Sequence, residues 1–291
     1  MPMTGGGDTG GIGSFLRLSW SARLLVLRRK LRLPVPLLVR LPDAGWWIAW
    51  NDYRGDRIWL FEPTGRAFVR RFLERGMTVF DLGAHVGIYS LIASRQVGPS
   101  GRVFSFEPSP RELRRLKLHL WLNRATNVRA FQLAVGEASK SVDFWVSLGR
   151  DTGWNSLHHR EGEAGRRQRR QSVEMTTLDD FVPTQGIQCV DFIKMDVEEA
   201  ELRVIQGATE LLRRHDAPVV MAEMWRSRDV YELLADRFGF TWFSLGPGGA
   251  LRPCPVRDSF GGCNLVAVPQ SRLPQVEPLF EKDGCSGPRR Q

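Results

Sequence analysis

From Thr78 to Val268 the chain alternates short apolar runs with segments of helical periodicity, and no other feature constrains its fold as strongly. Thr78–Leu82, Arg102–Phe106, Val128–Val135, Val190–Met195, Pro218–Ala222 and Phe240–Phe243 read as strands, with Asn264–Val268 a seventh after a Gly/Pro-rich turn. Helical faces lie between them. Val86, Tyr89, Ile92 and Ala93 form one, closed by Gly98-Pro99. Leu113, Leu116, Leu120 and Trp121 form a second, a buried stripe opened by Ser109-Pro110-Arg111-Glu112, which has capping-box spacing and a first-turn proline. Leu202, Ile205, Ala208 and Leu212 predict one long helix, and Val230–Phe238 another. Strands separated by helices form a mostly parallel sheet covered on both faces. The last two strands have no helix between them, so an antiparallel hairpin is expected at one edge. Residues 139–177 break the rhythm. Ser141–Ser147 and Ser172–Thr176 read as strand segments around a polar loop, and Thr177-Leu178-Asp179-Asp180 is a further helix-cap signal.

The preface to this alternation has a different character. Residues 1–11 are Gly-rich and read as a disordered terminus. Ile12, Leu16, Trp20, Leu24, Leu27 and Leu31 give a helical stripe that Arg23 and Lys30 interrupt and Pro34 ends. Trp46–Trp50 and Ile58–Phe61, around Arg54-Gly55-Asp56, predict a β-hairpin, and a helix is expected from about Thr64 to Glu74. Residues 12–75 thus form a basic helical and hairpin extension, 76–270 the main domain, and 271–291 a C-terminal tail. The net charge of +9 is concentrated near the start. Seven Lys/Arg and no acid lie between Thr9 and Pro42, leaving +2 for the remainder. A nucleic-acid binder spreads basic charge over a face. The run Arg166–Arg170 has no interleaved aromatics and reads as a solvated loop. The arm itself admits two readings, a weak peripheral contact with an anionic membrane or a helix packed on the domain.

The longest uncharged run, 14 residues from Phe238 to Leu251, is too short to span a bilayer, and no secretory signal is expected. Four scattered cysteines suit reduced thiols in a cytoplasmic protein.

Chemistry concentrates at the C-terminal ends of the predicted strands, where open α/β sheets bind ligands. Val79-Phe80-Asp81-Leu82-Gly83-Ala84-His85-Val86-Gly87 is a strand, an acid, a glycine turn and a helix start. Gly83 allows close backbone approach to a ligand. The spacing is D-x-G-x-x-x-G rather than the dinucleotide G-x-G-x-x-G, and Asp81 would repel a diphosphate. An acid there suits a ligand with a cationic end, such as the amino-acid moiety of S-adenosylmethionine. Glu107 closes the next strand 26 residues beyond Asp81, placed to accept both ribose hydroxyl protons. Leu133-Ala134-Val135-Gly136 is a small-residue loop able to lie along an adenine ring, or an ordinary turn. Lys194, Asp196 and Glu198 alternate at the fourth strand end, and Glu223 ends the fifth. This carboxylate cluster with one lysine suits deprotonation of a substrate hydroxyl, or a divalent cation held by oxygen ligands.

The run Thr78–Ser90, the Phe106-Glu107-Pro108 step, Leu133–Gly136, Thr177-Leu178-Asp179 and Lys194-Met195-Asp196-Val197-Glu198 through Gly207-Ala208 together resemble the FkbM family of class I S-adenosylmethionine-dependent methyltransferases. The resemblance covers about residues 55–268. It implies an α/β, Rossmann-like, seven-stranded methyltransferase sheet and methyl transfer to the hydroxyl of a small molecule or glycan, such as a sugar or polyketide. Asp81, Gly83, Ala84, Gly87, Glu107, Ala134 and Val135 would hold the cofactor. Asp196, Glu198, Lys194, Glu223 and His85 would surround the acceptor. Two positions depart from the family pattern: His85 stands where Asn is usual, and Glu199 where Gly is usual. The alternatives are an NAD-dependent oxidoreductase on the same sheet, disfavoured by the missing glycine pattern, and a non-enzymatic membrane- or nucleic-acid-associated protein. No nucleic-acid partner is expected.

Overall fold

The computed structural model describes residues 27, 36–49, 62–148, 155–158, 168–224, 228–254 and 263–281. The stripe beginning at Ile12 lies outside them except for Leu27, which is helical and exposed.

The chain enters through an antiparallel hairpin, β1 (Leu37–Leu41) and β2 (Gly45–Ala49). The expected partner of the Trp46 strand, Ile58–Phe61, lies outside the described residues; the pairing present is with the strand before it. The hairpin is latched to α3 (Pro110–Leu122) by side chains that mimic a backbone. Asn123 accepts the Trp46 N–H and donates to the Trp46 carbonyl, both at 2.7 Å. His119 accepts the Ile48 N–H at 3.0 Å, bonds the Val86 carbonyl at 2.7 Å, and stacks on Trp47 at 4.1 Å. Burial holds the His119 imidazole neutral, down to about 4.

The main sheet has the order β12-β11-β13-β10-β9-β3-β4-β5. Its parallel centre is β5 (Val128–Phe131), β4 (Arg102–Phe106), β3 (Thr78–Leu82), β9 (Phe192–Met195) and β10 (Val219–Met224). β13 (Cys263–Pro269) slots between β10 and β11 (Phe240–Leu245), antiparallel to both. The antiparallel hairpin expected at one edge is thus present, with its last strand placed next to β10. A short strand, β12 (Leu251–Pro253), makes the edge and raises the count to eight. Strand order reverses between β3 and β9, which opens a crevice at their C-terminal ends.

Alternation along each strand builds two cores. Val79, Val103, Phe192 and Met221 face α1 (Pro63–Phe72), α2 (Ile88–Val97) and α3. Phe80, Phe104, Ile193 and Val220 face α4 (Leu178–Thr184), α5 (Glu201–Gln206), α6 (Thr209–Arg213) and α7 (Arg228–Glu232), which runs into a π turn. Past the hairpin, α8 (Leu273–Val276) returns to the first face.

Four expectations are corrected. The predicted third strand is split: after Phe131 the chain leaves the sheet, and β6 (Ala134–Val135) joins a second sheet with β7 (Lys140–Ser147) and β8 (Gln168–Thr176). The capping box at Ser109 does not form, because the Ser109 N–H that Glu112 would accept is taken by Glu107 Oε1 at 2.8 Å. Trp121 is 73% exposed; the stripe Leu113–Leu116–Leu120 continues through His119 under the hairpin instead. The long helix is broken at Gly207-Ala208. A Cβ on Gly207 would meet the Gly136 carbonyl at 2.0 Å, and Asp179 caps the second piece by accepting the Glu210 and Leu211 N–H groups at 2.9 Å. The Thr177 cap is present, its hydroxyl accepting the Asp180 N–H at 2.9 Å.

Candidate active site

The turn after β3 is folded against β4. Gly83 and Ala84 both donate to the Phe106 carbonyl, at 3.0 and 2.9 Å. Gly83 has φ 74°, and a Cβ there would stand 1.8 Å from the Asp196 carbonyl, so the β3 and β9 loops touch through this glycine. His85 has φ 49°, a left-handed conformation that asparagine tolerates best among non-glycine residues. The backbone N–H of His85 donates to Glu107 Oε2 at 2.8 Å, while Ser109 occupies Oε1. Glu107 thus staples the glycine turn to the next strand end. It is 4% exposed, and burial pushes its carboxyl up to about 8 even against two N–H donors. Two of a carboxylate's roughly four acceptor positions are used, leaving capacity on both oxygens.

A cavity of about 600 Å³, counting its open mouth, lies over this turn. Gly83, His85, Glu107, Ala134, Val135, Asp196 and Glu198 all border it. Phe106, Leu133, Phe144, Leu157 and Ala200 add apolar lining. Phe106 is held by the ring of Phe181 at 4.7 Å. The loop after β9 reaches the cavity through two successive left-handed residues, Glu198 (φ 53°) and Glu199 (φ 72°). A position at φ 72° favours glycine, which accounts for the family's usual residue where this chain has Glu199. Buried Glu201, at the start of α5, is pushed up to about 7 by burial.

Asp81, Ala84, Gly87, Lys194 and Glu223 do not border this cavity. Asp81 and Lys194 pair in register across β3 and β9, and Asp81 pairs with Ser105 on β4, so the three form a polar row facing α2. Ser90 on α2 donates to Asp81 Oδ2 at 2.5 Å and lies 2.8 Å from the Ser105 hydroxyl. Burial raises the Asp81 carboxyl to about 6. Gly87 (φ 92°) begins α2 against Leu116.

Lys194 is 1% exposed, 3.7 Å from Asp196 and 5.1 Å from the Tyr89 ring centre. Burial opposes its charge, but Asp196, Glu62, Glu223 and Asp81 outweigh it and hold the ammonium above its ordinary value. Carboxylate oxygens of Glu62, Asp196 and Glu223 lie within 4.8 Å of one another. Glu62 is absent from the sequence reading. It sits at the N-cap of α1 with φ 41° and accepts Tyr89 at 2.5 Å and Asn264 at 2.7 Å. Asp196 alone belongs to both groups, bordering the cavity and facing the lysine. Nothing in the local pattern marks Glu62, since it comes from the extension and joins the site only through tertiary packing.

Residues 81–239, from the acid of the glycine turn to the start of β11, match the methyltransferase FkbM domain. The chain belongs to this family. The 2-O-methyltransferase NoeI of Sinorhizobium fredii is 30% identical over 129 residues, covering 41% of this chain and 52% of NoeI. The methyltransferase sdnD of Sordaria araneosa is 28% identical over 197 residues, covering 56% of this chain and 73% of sdnD. The match thus spans about half the length of NoeI. A solved FkbM methyltransferase from Methylobacillus flagellatus is 19% identical with a TM-score of 0.45, over 68% of this chain and 44% of that one. The FkbM domain begins at the polar row and contains the cavity's sheet-edge residues; Glu62 and Asn264 lie outside its limits.

Proposed function

We propose that this protein is an S-adenosylmethionine-dependent O-methyltransferase acting on a hydroxyl of a small molecule or glycan. The observation that carries the reading is Glu107, a buried carboxylate on the cavity wall, fixed by two backbone N–H groups and still able to accept from a ribose diol. The cavity fits the cofactor's parts. Leu133, Ala134, Val135 and Phe144 offer apolar walls for a purine. Asp196, against Gly83 on the same cavity, supplies an acid that suits the ammonium and sulfonium. A dinucleotide would bring its diphosphate against this acid, which disfavours the NAD reading.

S-adenosylmethionine supplies an electrophilic methyl group. The chain's residues orient the acceptor oxygen and take its proton. Asp196 is assigned as the proton acceptor, because it is the carboxylate shared by the cofactor cavity and the acidic cluster. Lys194 is held charged, so it acts as a fixed cation and not as a base. Oxygen donors from Glu62, Asp196 and Glu223 would suit a divalent cation. The Lys194 ammonium serves as the cation of this cluster, so turnover should survive a chelator. Calorimetry with S-adenosylhomocysteine and NAD tests the proposal. Micromolar-range binding of the first and none of the second is expected, and the reverse would overturn it.

A further inference from the structure

Among the described residues the cavity wall carries a single side-chain amide. Asn155 borders the cavity beside Phe144 and Leu157. Its Oδ1 accepts the Ser147 N–H from the end of β7 at 2.9 Å, and this bond assigns the two ends of the amide. Its Nδ2 is buried and has no hydrogen-bond partner among the described residues. An unpaired buried donor of this kind is costly, and in a native fold it calls for a reason.

The segment carrying Asn155 is pinned on two sides. Trp145 and Ser156 exchange backbone hydrogen bonds at 2.8 and 3.1 Å. The Ser156 hydroxyl donates to the Glu198 carbonyl at 2.8 Å, joining the segment to the loop after β9. The amide is therefore positioned before any ligand arrives. The same cavity presents Leu133, Val135, Phe144 and Leu157, apolar side chains that suit a flat ring. A lone donor among such walls matches a heteroaromatic ring that carries an in-plane nitrogen acceptor.

We propose that Asn155 reads the adenine of S-adenosylmethionine, its Nδ2 donating a hydrogen bond to a ring nitrogen of the base. The proposal rests on the cofactor reading given above. It is tested by calorimetry with S-adenosylhomocysteine and three analogues in which the base nitrogen N1, N3 or N7 is replaced by C–H. The proteins are the full chain, Asn155→Ala and Asn155→Asp; the last keeps an acceptor for the Ser147 N–H while removing the donor. The wild type should lose about tenfold in affinity for one analogue. Both variants should bind S-adenosylhomocysteine about tenfold more weakly and no longer distinguish that analogue. Equal weakening toward all four ligands would be a packing effect and would overturn the proposal, as would unchanged affinity in the variants. Wild-type protein that fails to bind S-adenosylhomocysteine would overturn the cofactor reading and this proposal with it.

Discussion

If Glu107 accepts the ribose diol, cofactor binding must be linked to its ionisation. With its carboxyl near 8 in the folded protein, roughly a tenth of the molecules carry the charge at pH 7. A ligand that requires the carboxylate must drive off the proton. Its affinity should rise about fivefold from pH 7 to 8 and about 50-fold from pH 6 to 8, then level off. The suitable probe is 5′-methylthioadenosine, which keeps the ribose and base but lacks the titrating amino-acid end. Calorimetry at pH 7 in buffers of different ionisation enthalpy should show about 0.9 proton released per ligand bound. Glu107→Gln should bind weakly with no pH dependence and no proton release. The same shift acts on the ligand-free fold with a definite sign. Between about 4.5 and 8 the folded state holds a proton that the unfolded chain has lost, so this group's contribution to stability falls as pH rises. Affinity independent of pH between 6 and 8, with no proton release, would refute the ribose role and the burial argument together.

Asp196→Asn should lower turnover about 100-fold or more while changing S-adenosylhomocysteine affinity far less; near-normal turnover would remove Asp196 as the proton acceptor. His119, held down to about 4, contributes stability above 6.5 that is lost as pH falls toward 4, by up to about 3 kcal/mol. Because Asp81, Glu201 and Glu107 are raised and pull the opposite way, the readout is the difference in urea stability between wild type and His119→Asn, which should shrink by that amount between pH 7 and 4. Glu199→Gly relieves a left-handed residue and should raise stability by about 1 kcal/mol, or about 2 °C in melting temperature; a lower melting point would show that the side chain more than offsets its backbone. Seven basic residues between Thr9 and Pro42, followed by exposed Leu38 and Trp46 on the hairpin, predict sedimentation with anionic vesicles at low salt, lost at high salt or on deleting residues 1–33. Full-length protein that stays in the supernatant would leave the arm as a packing element.

The parts of the site legible in the sequence are those where function and local backbone coincide. Strands β3 and β4 are found at their predicted limits because a parallel strand buried on both faces must be an apolar run, and the acids that end such runs fall at one sheet edge by topology alone. Gly83 and Glu107 are therefore readable without coordinates. Readings failed wherever a long-range contact outbid a local rule. Glu112 has capping-box spacing, yet Glu107, whose place is set by β4, reaches the Ser109 N–H first. Leu202–Leu212 has unbroken helical spacing, yet the Gly136 carbonyl and the Asp179 carboxylate divide it in two. Asp81 shows the limit within a motif. Period-two alternation places it on the α2 face beside Ser105 and Lys194, under the helix and not in the cavity, and only the register across three strands reveals this. Asn155 and Glu62 lie at the far end of this scale. Each is brought to the site by an element outside the parallel core, the β7–β8 ribbon in one case and the extension before α1 in the other. Neither position follows from where a strand ends, so a reading built on strand ends reaches such residues last.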